Sequence, residues 1–556
     1  MDEQYKRVLE RRLEILKEEM KVGRVYFAKG MQVVESLKRV RYGPGGRIDL
    51  STVDGLVRAT ALAVSEMRMR QEIKKVPLKR TQEEYFGFVE SIFSHPYAEM
   101  VKHKVTPHDI ARHMANKKNI VQALCGDSEQ LWKTLKEYWD TFGVVITTHL
   151  EDTQHLRGVY GGDIFPSYTR NIVSGTGLYL DTVVLPDPLL RALALRTVMK
   201  PEQFTYLLVK HGVSLLRYKE LALADVDPPI VVIAPDSFHL EESTRDYVAY
   251  GGKRDLLLHL GTMFGRQFKD EAHLLKFLGT LKSVDSLVKK VKKPDRFLLD
   301  VDWQKLSIKE RIAKYRQEMV SKLQGKPASV GVEVQMMFSG RMIQINDAIL
   351  KAKTLNGTVL MDAPTSWQYL LWKYQAEYLN TKEVIKGASP DFVANALASP
   401  GKDLNVLTGL PDDVLIKLRK EGALQELRAI IRKGTEQISS VSEDDFQKTA
   451  SQVTDNLKTA LSKHSAELET LKQRHKKYFG LDVTPFVSCA GIAIAAVACS
   501  NIILSVIAAI AGMAGAPSAK DLIKTARDLI REGKGLSRSP IGILFQGIER
   551  TRKRSA

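Results

Sequence analysis

The sequence predicts a mainly α protein: a multi-helix chain with a small α/β element near residues 144–236, and a C-terminal long helix followed by an apolar helical hairpin. Three observations predict it. Over most of the chain, apolar residues recur at steps of three and four, the period of one helical face. Two runs rich in β-branched residues, Leu178 to Pro186 and Pro229 to Pro235, flank a helical pattern, which is the order of a strand-helix-strand unit. Near the C-terminal end, Val483 to Ala519 runs for 37 residues without a charged side chain.

In chain order, Leu9, Leu13, Leu16, Met20, Phe27, Met31 and Val34 form one stripe and predict a long first helix. Gly43-Pro44-Gly45-Gly46 breaks the pattern, and Ser51, with Asp54 three residues on, predicts the cap of a second helix that ends before Pro77. Residues 81–143 keep the helical period, with Trp132, Leu135 and Trp139 on one stripe. The texture changes at Val144-Val145-Ile146, where an extended element is expected to begin. A helix from about Glu202 to Leu223 separates the two strands. Helices then return through Leu323, with the basic run Lys289 to Lys293 before Pro294, and Gln324 to Ser329 predicts a linker. Beyond it lie a helix around Met342 to Leu355, an aromatic-rich stretch from Trp367 to Tyr378 and a helix that Leu410-Pro411-Asp412-Asp413 opens and that runs to about Arg432. A long amphipathic helix is expected from Ser442 to Phe479, its first turn acidic at Glu443, Asp444 and Asp445. These shifts divide the chain into a helical hairpin (1–78), a helix-turn-helix-like unit (79–143), the α/β element (144–240), helices (241–324), helices with the aromatic segment (325–441) and the C-terminal unit (442–556).

Composition bounds the function. The 556 residues are 44% hydrophobic and 27% charged, an ordinary globular balance that excludes a disordered, collagen-like or multiply spanning chain. The formal charge is +18, which suits an anionic membrane surface or nucleic acid as partner without selecting between them. Three cysteines, two of them inside the uncharged stretch, argue against a disulfide framework. Met1 leads into a charged periodic helix, so no secretory signal is expected and the expected location is the cytoplasm, peripheral to the inner face of a membrane.

The uncharged stretch carries the leading functional expectation. Ser500-Asn501 divides it into Phe486–Cys499 and Ile502–Met513, roughly 21 and 18 Å as helices, short of a hydrocarbon layer of about 30 Å. Basic residues flank it on both sides, Lys472, Arg474, Lys476 and Lys477 before and Lys520, Lys524, Arg527 and Arg531 after. That symmetry suits a hairpin with both ends at one anionic surface better than an oriented single span. The residues expected to engage the membrane, or to pack as a buried hairpin in the chain's own core or against a protein partner, are Phe486, Val487, Ile492, Ile494, Ile502, Ile503, Leu504 and Ile507. The resulting expectation is a non-enzymatic interaction or effector protein that needs no cofactor.

Two alternatives come from other segments. Thr106 to Leu124 resembles a bihelical DNA-binding pattern: Thr106 caps, Pro107 suits the first turn, and the second helix would present Lys117, Lys118, Asn119 and Gln122, with Arg112 beside them, to phosphates and base edges. The turn holds Ala115-Asn116 where a glycine and an apolar residue are usual. The other alternative is an enzyme or ligand site on the α/β element, where Asp163, Asp181, Asp187 and Asp236 fall in or at the ends of the expected strands. The histidines at 95, 103, 108 and 113 lack a metal-binding spacing, as does His149 to His155. There is no complete phosphate loop, nucleophile elbow or dinucleotide fingerprint.

Overall fold

The computed structural model describes residues 3–28, 30–43, 48–151, 155–161, 180–299, 306–323, 329–355, 357–360 and 412–422, with scattered positions at 173–177, 366–373 and 425–429 and the backbone of two strands at 492–494 and 543–545. The chain divides into two compact units, one comprising Met1–Thr81 with Val144–Asp152, the other Gln82–Gly143 with Thr153–Ala556.

The first unit is built on α1 (Glu3–Lys21), α2 (Gln32–Lys38) and α3 (Gly55–Lys74). Leu9, Leu13 and Leu16 of α1 pack with Val57, Ala61 and Val64 of α3, and Phe27, Leu37 and Ile48 close over them. The apolar stripe on α1 continues in sequence to Val34, but the helix stops at Lys21. Gly23 adopts a φ of 74°, a left-handed backbone that ends the helix, and Gly30, at a φ of 90°, immediately precedes the cap of α2. The second cap also lies three residues past the expected one: Asp54, not Ser51, accepts the Val57 N–H and opens α3, while Ser51 sits in a short 3-10 turn.

In the second unit, α4 (Leu78–Lys102, its first residues in the first unit), α5 (Pro107–Ala115), α6 (Lys118–Gly126) and α7 (Ser128–Glu151, its residues from Val144 on in the first unit) precede the sheet. The strands are β1 (Arg157–Tyr160), β2 (Thr182–Pro186), β3 (Val231–Ala234) and β4 (Thr358–Leu360). They form one parallel sheet in the order β3-β2-β1-β4, with Gly158 opposite Val183 on one side and Thr358 on the other. β1, β2 and β3 are buried along their whole length, as expected of parallel strands covered on both faces. The outer edge of β3, which no strand pairs among the described residues, is met by a side chain. Gln82 of α4 donates to the Ile233 carbonyl at 3.1 Å and accepts from the Ile233 N–H at 2.8 Å, pairing as a neighbouring strand would.

Between β2 and β3 lie α8 (Pro188–Ala194), α9 (Pro201–Leu216) and α10 (Lys219–Leu223). α9 packs against α4 at Gly212, where a Cβ would stand 2.4 Å from the Phe93 ring; only a bare backbone fits. After β3 come α11 (Ser237–Leu240), α12 (Glu242–Phe264), α13 (Glu271–Leu278), α14 (Val284–Lys290), α15 (Ile308–Leu323) and α16 (Val330–Thr354), which lies along α12 and leads into β4. α17 (Asp412–Lys420) is the last helix described.

The mainly helical class with a small sheet is as the sequence predicts, and both expected strands are present. The β-branched run at 144–146 is instead the interior of α7, where Val145, Ile146 and Leu150 bury one face. β1 and β4 were not foreseen. The long helix expected from Ser442 lies outside the described residues. So does the uncharged stretch, apart from Ile492–Ile494, which forms a strand, β5, paired antiparallel with β6 (Ile543–Phe545).

Candidate functional site at the strand ends

The chain runs from β1 to β2 to β3 in one direction across the sheet, then returns to place β4 on the far side of β1. Ligands of open α/β sheets bind outside the carboxyl ends of the strands near such a reversal, because the loops there diverge and leave a crevice. A cavity of about 200 Å³ occupies that position. Tyr160 and Gly161 at the end of β1, Pro186 at the end of β2 and Asp236 just after β3 line one side, and Gln344, Asp347 and Lys351 of α16 line the other.

The polar floor of the cavity is an ion triad. Lys351 Nζ lies 2.8 Å from Asp236 Oδ1 and 2.6 Å from Asp347 Oδ2. Asp347 and Lys351 are one helical turn apart on α16 and so share a face. Side-chain exposure is 7% for both Lys351 and Asp236 and 20% for Asp347. Burial pushes the Asp347 carboxyl up to about 6, Lys351 opposes that rise and the negative Asp236 adds to it. Burial pulls Lys351 down, but the two carboxylates outweigh it and the ammonium is held more firmly than usual. Asp347 Oδ1 is buried and meets no hydrogen-bond partner among the described residues. His239, on α11, is lowered to about 4 by burial against the pull of Asp236, which leaves it a neutral ring at the cavity wall. Arg191 of α8 adds a cation there.

Of the four aspartates singled out from the sequence, Asp236 lines the cavity. Asp187 sits in a closed pocket of its own: Tyr85 OH donates to it at 2.8 Å, Trp139 Nε1 at 2.7 Å and the Leu189 N–H at 2.8 Å, so it caps α8 and ties α4 and α7 to the end of β2. Complete burial raises its carboxyl to about 6 despite these three donors. Asp181 accepts from the Leu156 N–H at 2.8 Å and lies 3.2 Å from Arg428 Nε, at the opposite ends of the strands. Arg419 of α17 reinforces that end by donating to the carbonyls of Gly177, Leu180 and Asp181. Asp163 lies outside the described residues. Asp347 and Lys351 were missed; their spacing was visible, but an acid and a lysine four apart usually form a solvated helical pair.

The helix-turn-helix-like segment is two helices, α5 and α6, joined at Asn116-Lys117. Thr106 and Asp109 form the reciprocal cap that the sequence implies. Ile110, Ala111, Met114 and Val121 are buried, and both helices pack on α9. Arg112, Lys118, Asn119 and Gln122 are exposed and Lys117 is half-buried. In the other basic run, Lys290 donates to Thr280 Oγ1 at 2.7 Å, and the Lys292 and Lys293 N–H groups bind the Met263 carbonyl. The membrane-engaging residues proposed from sequence lie outside the described residues, except for the backbone of Ile492 and Ile494. Among the described residues no helix is long and apolar enough to cross a membrane, and no group of three or more His, Cys, Asp or Glu is arranged to hold a metal ion.

Comparison with models of known protein families, with characterised proteins and with solved structures finds no match for this chain. Its functional reading therefore rests on the site.

Proposed function

We propose that this chain binds a small polar molecule in the cavity at the carboxyl ends of β1, β2 and β3, with the Asp236-Lys351-Asp347 triad as its recognition floor. The observation that carries the reading is the placement of a buried, charged triad on the wall of a cavity beside the strand-order reversal. Buried charges cost several kcal/mol each to desolvate, and a merely structural triad has no need of a cavity beside it. Asp347, titrating near 6, is also suited to exchange a proton with a bound ligand, since a general acid-base group works best with its pKa near the working pH.

Gly340 provides the test. It lines the cavity on α16, and a Cβ placed there meets no atom within 4 Å. Gly340→Trp is therefore expected to fill the cavity while leaving the fold intact. Thermal-shift and ligand-observed NMR screening of the full chain against amino acids, sugars, sugar phosphates, nucleosides and carboxylic acids should find a binder that Gly340→Trp excludes. A binder unaffected by that substitution would place the site elsewhere.

A second reading is favoured by one sequence observation, the 37 uncharged residues from Val483 to Ala519 with basic flanks. We propose that this segment engages an anionic membrane surface, making the chain an effector whose ligand site and membrane segment are separate parts. Fractionation with high-salt and high-pH washes tests it. Full-length protein that stays in the soluble fraction, together with a deletion of 483–519 that only unfolds the chain, would remove this reading.

A further inference from the structure

We infer that the cavity takes an amino-acid-sized zwitterion, its ammonium held by Asp236 and Asp347 and its carboxylate by Arg191. This rests on the ligand-binding reading above and names the ligand class for it. The floor holds two carboxylates against one ammonium, so with both carboxylates ionised one negative charge is left over. A carboxylate offers about four acceptor positions; Lys351 donates to Asp347 Oδ2 at 2.6 Å and lies 2.8 Å from Asp236 Oδ1 as an ion pair without a hydrogen bond. Asp347 Oδ1 is left with no hydrogen bond from the described residues. A ligand ammonium at the floor supplies the positive charge that the balance lacks.

The wall supplies the complementary half. Arg191 is exposed, lines the cavity and makes no hydrogen bond or ion pair with any described residue. Its charge acts on both His239 and Asp347, which puts it within electrostatic reach of the floor. A guanidinium presents paired N–H donors that match a carboxylate bidentately. Size allows the same class: a cavity of about 200 Å³ has room for an amino-acid-sized ligand. Tyr160, Pro186, Pro188 and Phe238 give the ligand's side chain an apolar surface.

Binding an ammonium requires Asp347 in its ionised form, so near pH 6 the ligand displaces a proton to the buffer. The titratable and charged groups that face Asp347 across the cavity are Asp236, His239, Arg191, His211 and Tyr160, with Lys351 beside it. His239 stays neutral at this pH, so of these two groups Asp347 is the one that releases a proton.

The experiment is calorimetric titration of the full chain at pH 6.0 in two buffers of different ionisation heat. The probes are the twenty standard L-amino acids and γ-aminobutyrate, with n-butylamine and butyrate as single-charge controls. At least one zwitterion should bind with release of about half a proton, at least tenfold more tightly than either control. Arg191→Ala, at an exposed position, and Asp347→Asn, checked for folding by thermal unfolding, should each weaken it at least tenfold. If no zwitterion binds but a sugar, nucleoside or phosphate from the wider screen does, and Gly340→Trp blocks it, the zwitterion assignment is overturned while the ligand-binding reading stands. If nothing binds in either set, both fall.

Discussion

Replacing Lys351 with methionine tests the triad most directly, because methionine keeps the length of the stem and removes only the charge. In the native protein Nζ sits within 2.8 Å of Asp236 and 2.6 Å of Asp347, and all three groups are largely shielded from water. Without the ammonium, two carboxylates face each other in a poorly solvated site, and breaking a buried pair in this way typically costs about 3–5 kcal/mol. The site has an escape, which is to bind a proton. Protonating one carboxyl with an ordinary pKa near 3.9 costs about 5 kcal/mol at pH 7.5 and only about 1.5 kcal/mol at pH 5, at 1.36 kcal/mol per pH unit. That escape caps the loss, so Lys351→Met should lower stability by about 3–5 kcal/mol at pH 7.5 and by no more than about 1.5 kcal/mol at pH 5. The sign follows from a carboxyl pKa raised in the folded state: its contribution is present below the unfolded value and is lost as pH rises through the folded one. The assay is urea unfolding followed by tryptophan fluorescence at the two pH values, with Lys351→Met/Asp347→Asn alongside, which should recover part of the loss at pH 7.5. A single variant as stable as the parent at pH 7.5, or equally destabilised at both pH values, would refute the reasoning.

Three further outcomes follow from the same interior. Asp187→Ala strips the acceptor from Tyr85 OH, Trp139 Nε1 and the Leu189 N–H; at about 1–3 kcal/mol per stranded buried donor, thermal unfolding should show a loss of about 3–9 kcal/mol. Gly212→Ala drives a methyl to 2.4 Å from the Phe93 ring, whereas Gly340→Ala enters open space; the first should lose about 1–3 kcal/mol or more to overpacking, while the second should hold or gain up to about 1 kcal/mol from helix propensity. His259, packed among Phe338, Tyr369 and Trp372, is lowered to about 3, chiefly by burial. Its folded pKa lies below its unfolded one, so its contribution is full above about 6.5 and falls as pH drops towards 3. Between pH 7 and pH 4 that loss is about 3 kcal/mol, and His259→Gln should flatten this part of the stability profile; an unchanged slope would mean that the ring is protonated in the fold.

The parts of the fold legible in the sequence are those where a local pattern and the tertiary environment agree. β2 and β3 carry dense β-branched runs, and α5 announces its start through Thr106, Pro107 and Asp109. Elsewhere the two disagree. Val144-Val145-Ile146 looks extended when taken alone, yet Val145 and Ile146 fall on the buried face that Leu135, Trp139 and Leu150 share along α7, and packing outweighs the few tenths of a kcal/mol by which β-branching disfavours a helix. The first helix shows the converse. Its apolar stripe runs on past Lys21, but a period cannot register the positive-φ Gly23 that ends the helix. β4 is three residues long, too short to leave any periodic trace, and it is recognisable only because β1 is there to pair with it.

The candidate site was half legible for a related reason. Strand-end aspartates are a sound place to look for ligand chemistry in an α/β element, and that rule reaches Asp236. It also reaches Asp181 and Asp187, which look identical in sequence but whose oxygens are consumed by Leu156 and Arg428 in one case and by Tyr85, Trp139 and Leu189 in the other. What separates them is the identity of the donors opposite, and those donors come from segments up to about 250 residues away in the chain. The same holds for Lys351. Its spacing from Asp347 describes an ordinary helical ion pair, and it becomes the centre of a buried triad only because the crossover to β4 lays α16 beside the loop that follows β3. The reversal of strand order therefore does two things at once: it opens the crevice, and it brings a lysine from beyond the helical segment to the aspartate at the end of β3. A chain that kept every local pattern but placed β4 beside β3 would retain Asp236, Asp347 and Lys351 and have no site.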